Sequence, residues 1–258
     1  MRTKKRRNTM KTETEGLILM NRAVGDKNRL LTILTRDCGV LGCFIRGASR
    51  PGSSNFSATQ PLTYSRLSIF RGRNSYTVDE AKVICTFFEP GAMDMLHLAL
   101  IQYFCELVMK TVPENTDASQ PLDLLLNCLH LLKKGRPPLL VKTVFEIRLA
   151  AISGWMPHLL YCEHCGAYED ETMYFYYQEN VLRCQKCYRE GSCCPLSKGA
   201  LTAFRYVVSA EPKKAFSFQV SEDTMRQLSE CAERYILAMT ATHFHTLDYY
   251  HQAAALES

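Results

Sequence analysis

No stretch of the 258 residues approaches the ~18–20 consecutive apolar positions that a membrane-spanning helix requires. Behind the basic start, the apolar Gly16–Met20 is too short for the core of a secretory signal. The expectation is a cytoplasmic chain with no membrane partner. Catalytic signatures are missing as well. The sequence contains no G-x-x-x-x-G-K-[ST] phosphate loop, no G-x-G-x-x-G, no H-E-x-x-H and no G-x-S-x-G. Asp26, Asp37, Asp79 and Glu80 are scattered near strand ends rather than gathered as a two-metal nuclease demands. His243, His245 and His251 have only Asp248 as a close carboxylate and read as ordinary helix-face histidines. An enzyme is therefore not expected. There is no internal repeat and no low-complexity tract, and the 47% hydrophobic content excludes a disordered or fibrous chain.

Acid is the scarcest commodity near the start. Residues 1–75 carry 15 Lys/Arg against 4 Asp/Glu, a net of +11, whereas residues 76–258 carry 16 against 22. Eleven of the 15 are arginines, which fork onto phosphates and stack on bases better than lysine does. Such a concentration is the electrostatic footprint of a polyanion partner. A basic arm over residues 1–12 adds to it, yet without residues 1–9 the excess up to residue 75 is still +6.

From Thr14 to Val83 the pattern is short β-branched or aromatic runs broken by turn residues: Gly16–Arg22, Arg29–Thr35, Val40–Ile45, Thr63–Phe70 and Ser75–Val83. About five strands in ~70 residues fit an antiparallel barrel of the OB type better than a sandwich. After Pro90-Gly91 the period becomes helical, with helices expected over Ala92–Thr111, Pro121–Lys134 and Pro138–Ser153. Two more are expected from the N-cap serines Ser197 and Ser221. The fold class read from this is α+β, a barrel over residues 13–85 and an α-helical domain over residues 86–258.

Twelve cysteines would be odd as disulfides in an intracellular chain. Cys162, Cys165, Cys184 and Cys187 form C-x2-C-x18-C-x2-C, the spacing of a zinc site. Each pair puts two thiolates on one turn, and Met173–Leu182 reads as a hairpin turning at Glu179-Asn180. The result is a zinc ribbon inserted over residues 160–194. Four thiolates leave no open position on Zn2+, so the ion is structural. Cys38, Cys43, Cys85, Cys105, Cys128 and Cys231 sit in apolar contexts and read as core. Cys193 and Cys194 are adjacent, and either could replace a ligand.

Several stretches together resemble the RecO family of bacterial DNA repair proteins. Thr14-Glu15-Gly16-Leu17-Ile18-Leu19 is similar to the family's first strand. Asp26 with Arg29–Thr35 and Cys38-Gly39 resembles its D-x-x-L-L-T-L-L-T run ending in glycine. Arg46-Gly47-Ala48-Ser49-Arg50 resembles its K-G-A-R-R turn, with Ser49 where arginine is common. Gln60-Pro61-Leu62, Phe70-Arg71-Gly72-Arg73, Phe145–Leu149 and Gly154-Trp155-Met156-Pro157 follow in family order, as do the four cysteines.

The resemblance implies a mediator of recombinational repair through the RecF pathway. Such a protein binds single- and double-stranded DNA, anneals complementary strands and works with RecR to help RecA displace single-stranded DNA-binding protein. It also implies a pocket on the helical domain for that protein's acidic, apolar-ended tail, with Lys142 and Arg148 as candidate cations. The cytoplasmic chain would then be nucleoid-associated. For DNA the candidate cations are Arg22, Lys27, Arg29, Arg46, Arg50, Arg66, Arg71 and Arg73, with Tyr64, Phe70 and Tyr76 as stacking candidates. Two rival readings stand beside this one. A zinc-ribbon transcription regulator would show base-pair specificity, and a CxxC thiol oxidoreductase would show a reactive thiol and no metal.

Overall fold

The structure, a computed structural model, describes residues 10–25, 28–46, 54–73, 75–88 and 94–257. It divides into two compact units, one combining the chain up to Asp94 with Val108–Asp123, the other combining Met95–Leu107 with Leu124–Ser258.

The first unit is built on β1 (Met10–Val24), β2 (Asn28–Thr35), β3 (Gly39–Arg46), the short α1 (Ser54–Ala58), β4 (Thr63–Arg71) and β5 (Tyr76–Thr86). The strands close into a barrel in the order β1-β2-β3-β5-β4. All neighbours are antiparallel except β3 and β5. Alternation explains the strands: in β3, Leu41, Cys43 and Ile45 are buried while Gly42, Phe44 and Arg46 are exposed. The inward set continues through Ile18, Leu31, Ile33, Leu67, Ile69, Val78 and Ala81. Each fully buried Leu or Ile contributes ~1.5–3 kcal/mol. β1 serves two neighbours, since Gly16 pairs with both Thr35 of β2 and Ser65 of β4. A Cβ at Gly16 would lie 2.8 Å from the Leu34 carbonyl oxygen, so nothing larger fits at this crossing.

Val108–Asp123 is fastened to the barrel by the β2–β3 turn. The Asn115 N–H donates to the Cys38 carbonyl at 2.8 Å and the Ala118 N–H to the Arg36 carbonyl at 2.8 Å. The Arg36 side chain pairs with Asp123 at 2.8 Å. Gly39 has φ +71°, and a Cβ there would fall 1.9 Å from the Pro113 carbonyl oxygen. Only glycine satisfies both constraints.

The second unit holds the helices α2 (Met95–Thr111, of which the last turn counts with the barrel), α3 (Ser119–Lys133, of which the first turn does), α4 (Pro138–Ile152), α5 (Lys198–Ser209), α6 (Glu222–Thr240) and α7 (His245–Glu257). Ser197 and Ser221 cap α5 and α6 by accepting from the Ala200 and Thr224 N–H groups. Aromatic packing marks the core, with Phe104 and Phe145 at 4.0 Å and Tyr235 edge-on to Phe175 at 5.2 Å. Between α4 and α5 lies a three-stranded sheet, β7-β6-β8, of β6 (Thr172–Tyr176), β7 (Val181–Cys184) and β8 (Cys194–Ser197). The β6–β7 hairpin turns at Asn180, whose φ is +55°. Its side chain accepts from the His158 N–H and donates to the Met156 carbonyl, both at 2.9 Å. Among the described residues no helix is long and apolar enough to cross a membrane.

The cysteines divide differently from the expectation. Cys43, Cys105, Cys128 and Cys231 are core, but Cys85 is exposed on the outer half of β5 and Cys38 is half-buried. Cys194 is buried opposite Phe175 in β8 and contacts Cys231, so it points away from the four clustered thiols.

Candidate nucleic-acid interface and metal centre

The barrel's outward cations fall into two groups. On one side they are paired: Lys11 with Glu13 at 3.1 Å, Arg66 with Glu15 at 3.1 Å, Lys82 with Glu80 at 3.0 Å. On the other side, Arg46 is exposed and makes no ion pair or hydrogen bond among the described residues. Exposed Arg22 bonds, among the described residues, to the Met20 sulfur alone, at 2.9 Å. Exposed Arg73, beyond the end of β4, has no ion pair among the described residues either.

The strand registers place these side chains. Arg22 of β1 pairs with Leu30 of β2, and Leu30 with Phe44 of β3. Phe44 pairs with Thr77, Thr77 with Phe70, and Phe70 with Lys11. Partners share a face, and Leu31, Ile33, Leu41 and Cys43 occupy the inner one, so this row girdles the outside of the barrel. Arg46, two residues beyond Phe44, stands on the same face. Phe44 is 40% exposed. It is therefore an uncovered aromatic ring with Arg22 in its own row, across Leu30, and Arg46 in the next, a surface on which a base can stack while guanidinium groups meet phosphates.

The remaining candidates take other places. Tyr64 is 9% exposed, and its hydroxyl donates to Glu15 at 2.6 Å, so it is not a stacking platform. Tyr76 packs half-buried against the barrel core, with its hydroxyl donating to Asn115 at 3.1 Å and the Arg71 guanidinium 5.8 Å from its ring centre. That ring, too, is largely covered. Arg66 is neutralised by Glu15. Arg29 lies on the inner face at the barrel mouth, where it donates to Asn21 at 3.2 Å and leaves Nε buried without an acceptor. Phe70 is half-buried on the outer row. Lys27 and Arg50 lie outside the described residues. Phe44 was missing from the candidates, although the alternation of Val40–Ile45 carries its signal.

In the ribbon, the Sγ atoms of Cys162, Cys165, Cys184 and Cys187 all lie within 4.8 Å of one another. Cys165 and Cys184 are 3.6 Å apart. Ligands of a tetrahedral ion with Zn–S ~2.3 Å stand ~3.8 Å apart, so the donor set fits a divalent metal. The first knuckle is fixed by the Cys162 N–H on the Ala167 carbonyl at 2.8 Å, and β7 reaches it through the Glu163 N–H on the Leu182 carbonyl at 2.8 Å. Burial opposes ionisation of Cys162, but backbone N–H donors at Cys165, Cys184 and His164 outweigh it and hold the thiol at about 6. Burial and the neighbouring sulfurs push Cys187 up to about 12. The four sulfurs cannot all be anionic unless a cation stands at their focus. Convergence of two CxxC pairs on one point also differs from the lone exposed dithiol of a redox enzyme.

Two family models match, "Recombination protein O N terminal" over residues 10–87 and "Recombination protein O C terminal" over residues 93–247. The chain belongs to the RecO family. It is similar to the DNA repair protein RecO of Acetivibrio thermocellus, 32% identical over 92% of this chain and 95% of the relative. It is also similar to RecO of Alkaliphilus metalliredigens, 27% identical over 93% and 98% of the two chains, and to RecO of Bacillus subtilis, 24% identical over 88% of each.

Within this RecO-family chain, the two cations expected to receive a partner's tail are engaged internally. Lys142 is 1% exposed and contacts Glu146 at 2.9 Å and Glu233 at 2.6 Å. Arg148 donates to the carbonyls of Val207, Val208 and Ala210 at 3.3, 3.0 and 2.9 Å, closing the C-terminal end of α5. Neither is available to an incoming peptide, and that assignment is withdrawn. The reason is long-range packing: α6 supplies Glu233, and α5 supplies the open carbonyls.

Proposed function

We propose that the chain mediates recombinational repair in the RecF pathway by binding rather than by catalysis. It holds single- and double-stranded DNA without sequence preference, anneals complementary strands and, with RecR, assists RecA on strands coated with single-stranded DNA-binding protein. The observation that carries the reading is the unpaired set Arg22, Phe44 and Arg46 on the outer face of β1–β3. A five-stranded closed barrel with β3 beside β5 supports an OB-type module, whose strand 2–3 face is the usual nucleic-acid surface. Neutralising phosphates there releases counterions whatever the sequence, and it reduces the repulsion between two strands brought together. Zn2+ is the ion best suited to the four thiolates. It would brace the ribbon and supply no chemistry.

For the acidic, apolar-ended tail of single-stranded DNA-binding protein, a groove of about 920 Å3 replaces the Lys142 site. It is lined by Leu139, Leu140, Phe218 and Met225, with Arg136, which donates to the Phe216 carbonyl at 2.8 Å, on one side and Arg226, paired at 3.6 Å with the exposed Glu222, on the other. The N-terminal ends of α4 and α6 open beside it, which adds positive field. Cytoplasmic, nucleoid-associated action follows from these partners.

The test is annealing of complementary oligonucleotides coated with single-stranded DNA-binding protein. Faster annealing with the chain, lost in Arg22→Ala plus Arg46→Ala, is expected. A chain that ignores oligonucleotides at low ionic strength would overturn the reading.

A further inference from the structure

Beyond the cysteine cluster, one other group of metal-binding side chains converges among the described residues. His243, His245 and Asp248 have their ligand atoms within 4.8 Å of one another. The local sequence explains how. Ala241 ends α6 in the left-handed region, and α7 begins at His245. Between them Phe244 is 1% exposed and anchors the connection in the core. Both flanking histidines are thereby turned outward, with side chains 67% and 82% exposed. His245 and Asp248 share one face of the first turn of α7. The Asp248 carboxylate is the common focus: its Oδ2 lies 2.9 Å from His243 Nε2 and 3.7 Å from His245 Nδ1. Imidazole and carboxylate ligands of one ion at ~2.0–2.1 Å stand ~3.3 Å apart at a tetrahedral angle, which those two distances bracket. A cavity of about 440 Å3 adjoins the group and is lined by Glu233, His243, Asp248 and His251.

From this geometry we infer that His243, His245 and Asp248 form a second, exchangeable site for a divalent transition metal. The donor set of two imidazoles and one carboxylate selects Zn2+, Ni2+, Co2+ or Cu2+ over Mg2+ and Ca2+, which prefer all-oxygen ligands. Three protein ligands leave at least one position for water, unlike the closed thiolate site. Zn2+ fills the four thiolates first, so the histidine site takes the second equivalent. A bound ion would replace the His243–Asp248 contact and tie the α6–α7 connection to the first turn of α7.

The test uses the untagged full-length chain, loaded with one equivalent of Zn2+ as verified by elemental analysis and then titrated calorimetrically with Ni2+. One further equivalent is expected. His245→Ala and Asp248→Asn should weaken it at least ~10-fold while the first Zn2+ stays bound. His245 is highly exposed, so its removal leaves folding intact, which circular dichroism verifies. Titration with Co2+ adds a spectroscopic readout: the second equivalent should appear without a thiolate-to-metal charge-transfer band. Equal Ni2+ binding by the original chain and His245→Ala would overturn the inference. So would the absence of a second equivalent at ~1 mM metal.

Discussion

Among the described residues the ion pairs of the barrel unit are exposed or half-buried, whereas the helical unit buries one of its own. Inside the barrel the core cluster from Ile18 to Ala81 is apolar, and the one inward cation described, Arg29, stands at the mouth against Asn21. Inside the helical unit one ammonium, Lys142, is shared by Glu146 and Glu233, while Tyr103 donates to Glu146 at 2.9 Å and His251 contacts Glu233 at 3.0 Å. Charges that pair internally fix the packing of α2, α4, α6 and α7 and have nothing left for a partner. Charges left unpaired on a barrel face, such as Arg46, are open to a polyanion. Cations of the same formal charge thus serve opposite purposes, and their partners rather than their number decide which.

Breaking the ribbon should have the largest effect. Apparent metal-binding energies of ~10–16 kcal/mol in zinc-finger peptides are folding energy, because the unfolded chain holds no preformed site. Cys184→Ser should lose the bound metal and lower the thermal midpoint of the helical unit, with elemental analysis and a thermal scan as the measurements. An unchanged midpoint in a metal-free variant would break the assignment of the cysteines as a structural site.

Lys142 comes next. Replacing it by methionine leaves two buried or half-buried carboxylates facing each other, and removal of one partner from such a cluster costs ~3–5 kcal/mol. Urea denaturation should show that loss while oligonucleotide affinity at the barrel stays the same. A drop in DNA affinity with unchanged stability would reverse the contrast between the two units.

The same cluster makes a pH prediction. Burial raises Glu146 from the usual 4.5 to about 7, against the attraction of Lys142. Burial also works to raise Glu233, but its bonds to His251 and Lys142 win and bring it to about 2. Between pH 4.5 and 7 the folded chain holds the Glu146 proton that the unfolded chain has released, so stability falls as pH rises. The fall is on the order of 3 kcal/mol. Glu233 acts in the opposite sense and in a different window, stabilising above pH 4.5 and losing that contribution as pH falls toward 2. His251, raised chiefly by its bond to Glu233, also loses stability as pH rises. Glu146→Gln should therefore flatten the decline between pH 4.5 and 7 without abolishing it. The readout is the slope of stability against pH, because the amide also replaces the Oε2 contact to Lys142 at 3.1 Å. An unaltered slope would show that Glu146 is ionised throughout.

What could be read from the sequence follows the range of the interactions. The strands of the barrel, the Glu179-Asn180 turn, the Ser197 and Ser221 caps and the cysteine spacing depend on neighbours a few residues away, so pattern alone locates them. Strand β8 is four residues long and contains Pro195, which hides it as an edge strand. The fate of Tyr64 was hidden because Thr63, Tyr64 and Ser65 are all buried, so alternation there does not separate the faces. Phe44 was legible in β3, where the alternation is clean. The internal use of Lys142 and Arg148 was not, because their partners come from α5 and α6, far along the chain.

The smallest effects test the barrel surface itself and separate its two contributions. A base stacked on Phe44 is worth ~1–3 kcal/mol and carries no charge, so Phe44→Ala should weaken binding of single strands and leave the salt dependence unchanged. On the proposed reading Arg22 and Arg46 meet phosphates, each then contributing ~0.7 to the log–log slope of affinity against salt on single strands. Arg22→Ala plus Arg46→Ala should thus lower that slope by ~1.4. Arg66 is equally exposed but already neutralised by Glu15. Its replacement by alanine frees a carboxylate as it removes a cation, so a small loss of affinity should come with little loss of stability, since exposed pairs are worth ~0–1 kcal/mol. Fluorescence titrations of one oligonucleotide at several salt concentrations measure all three variants. Equal slopes for the Arg22/Arg46 and Arg66 variants would mean that pairing does not decide which cations meet DNA.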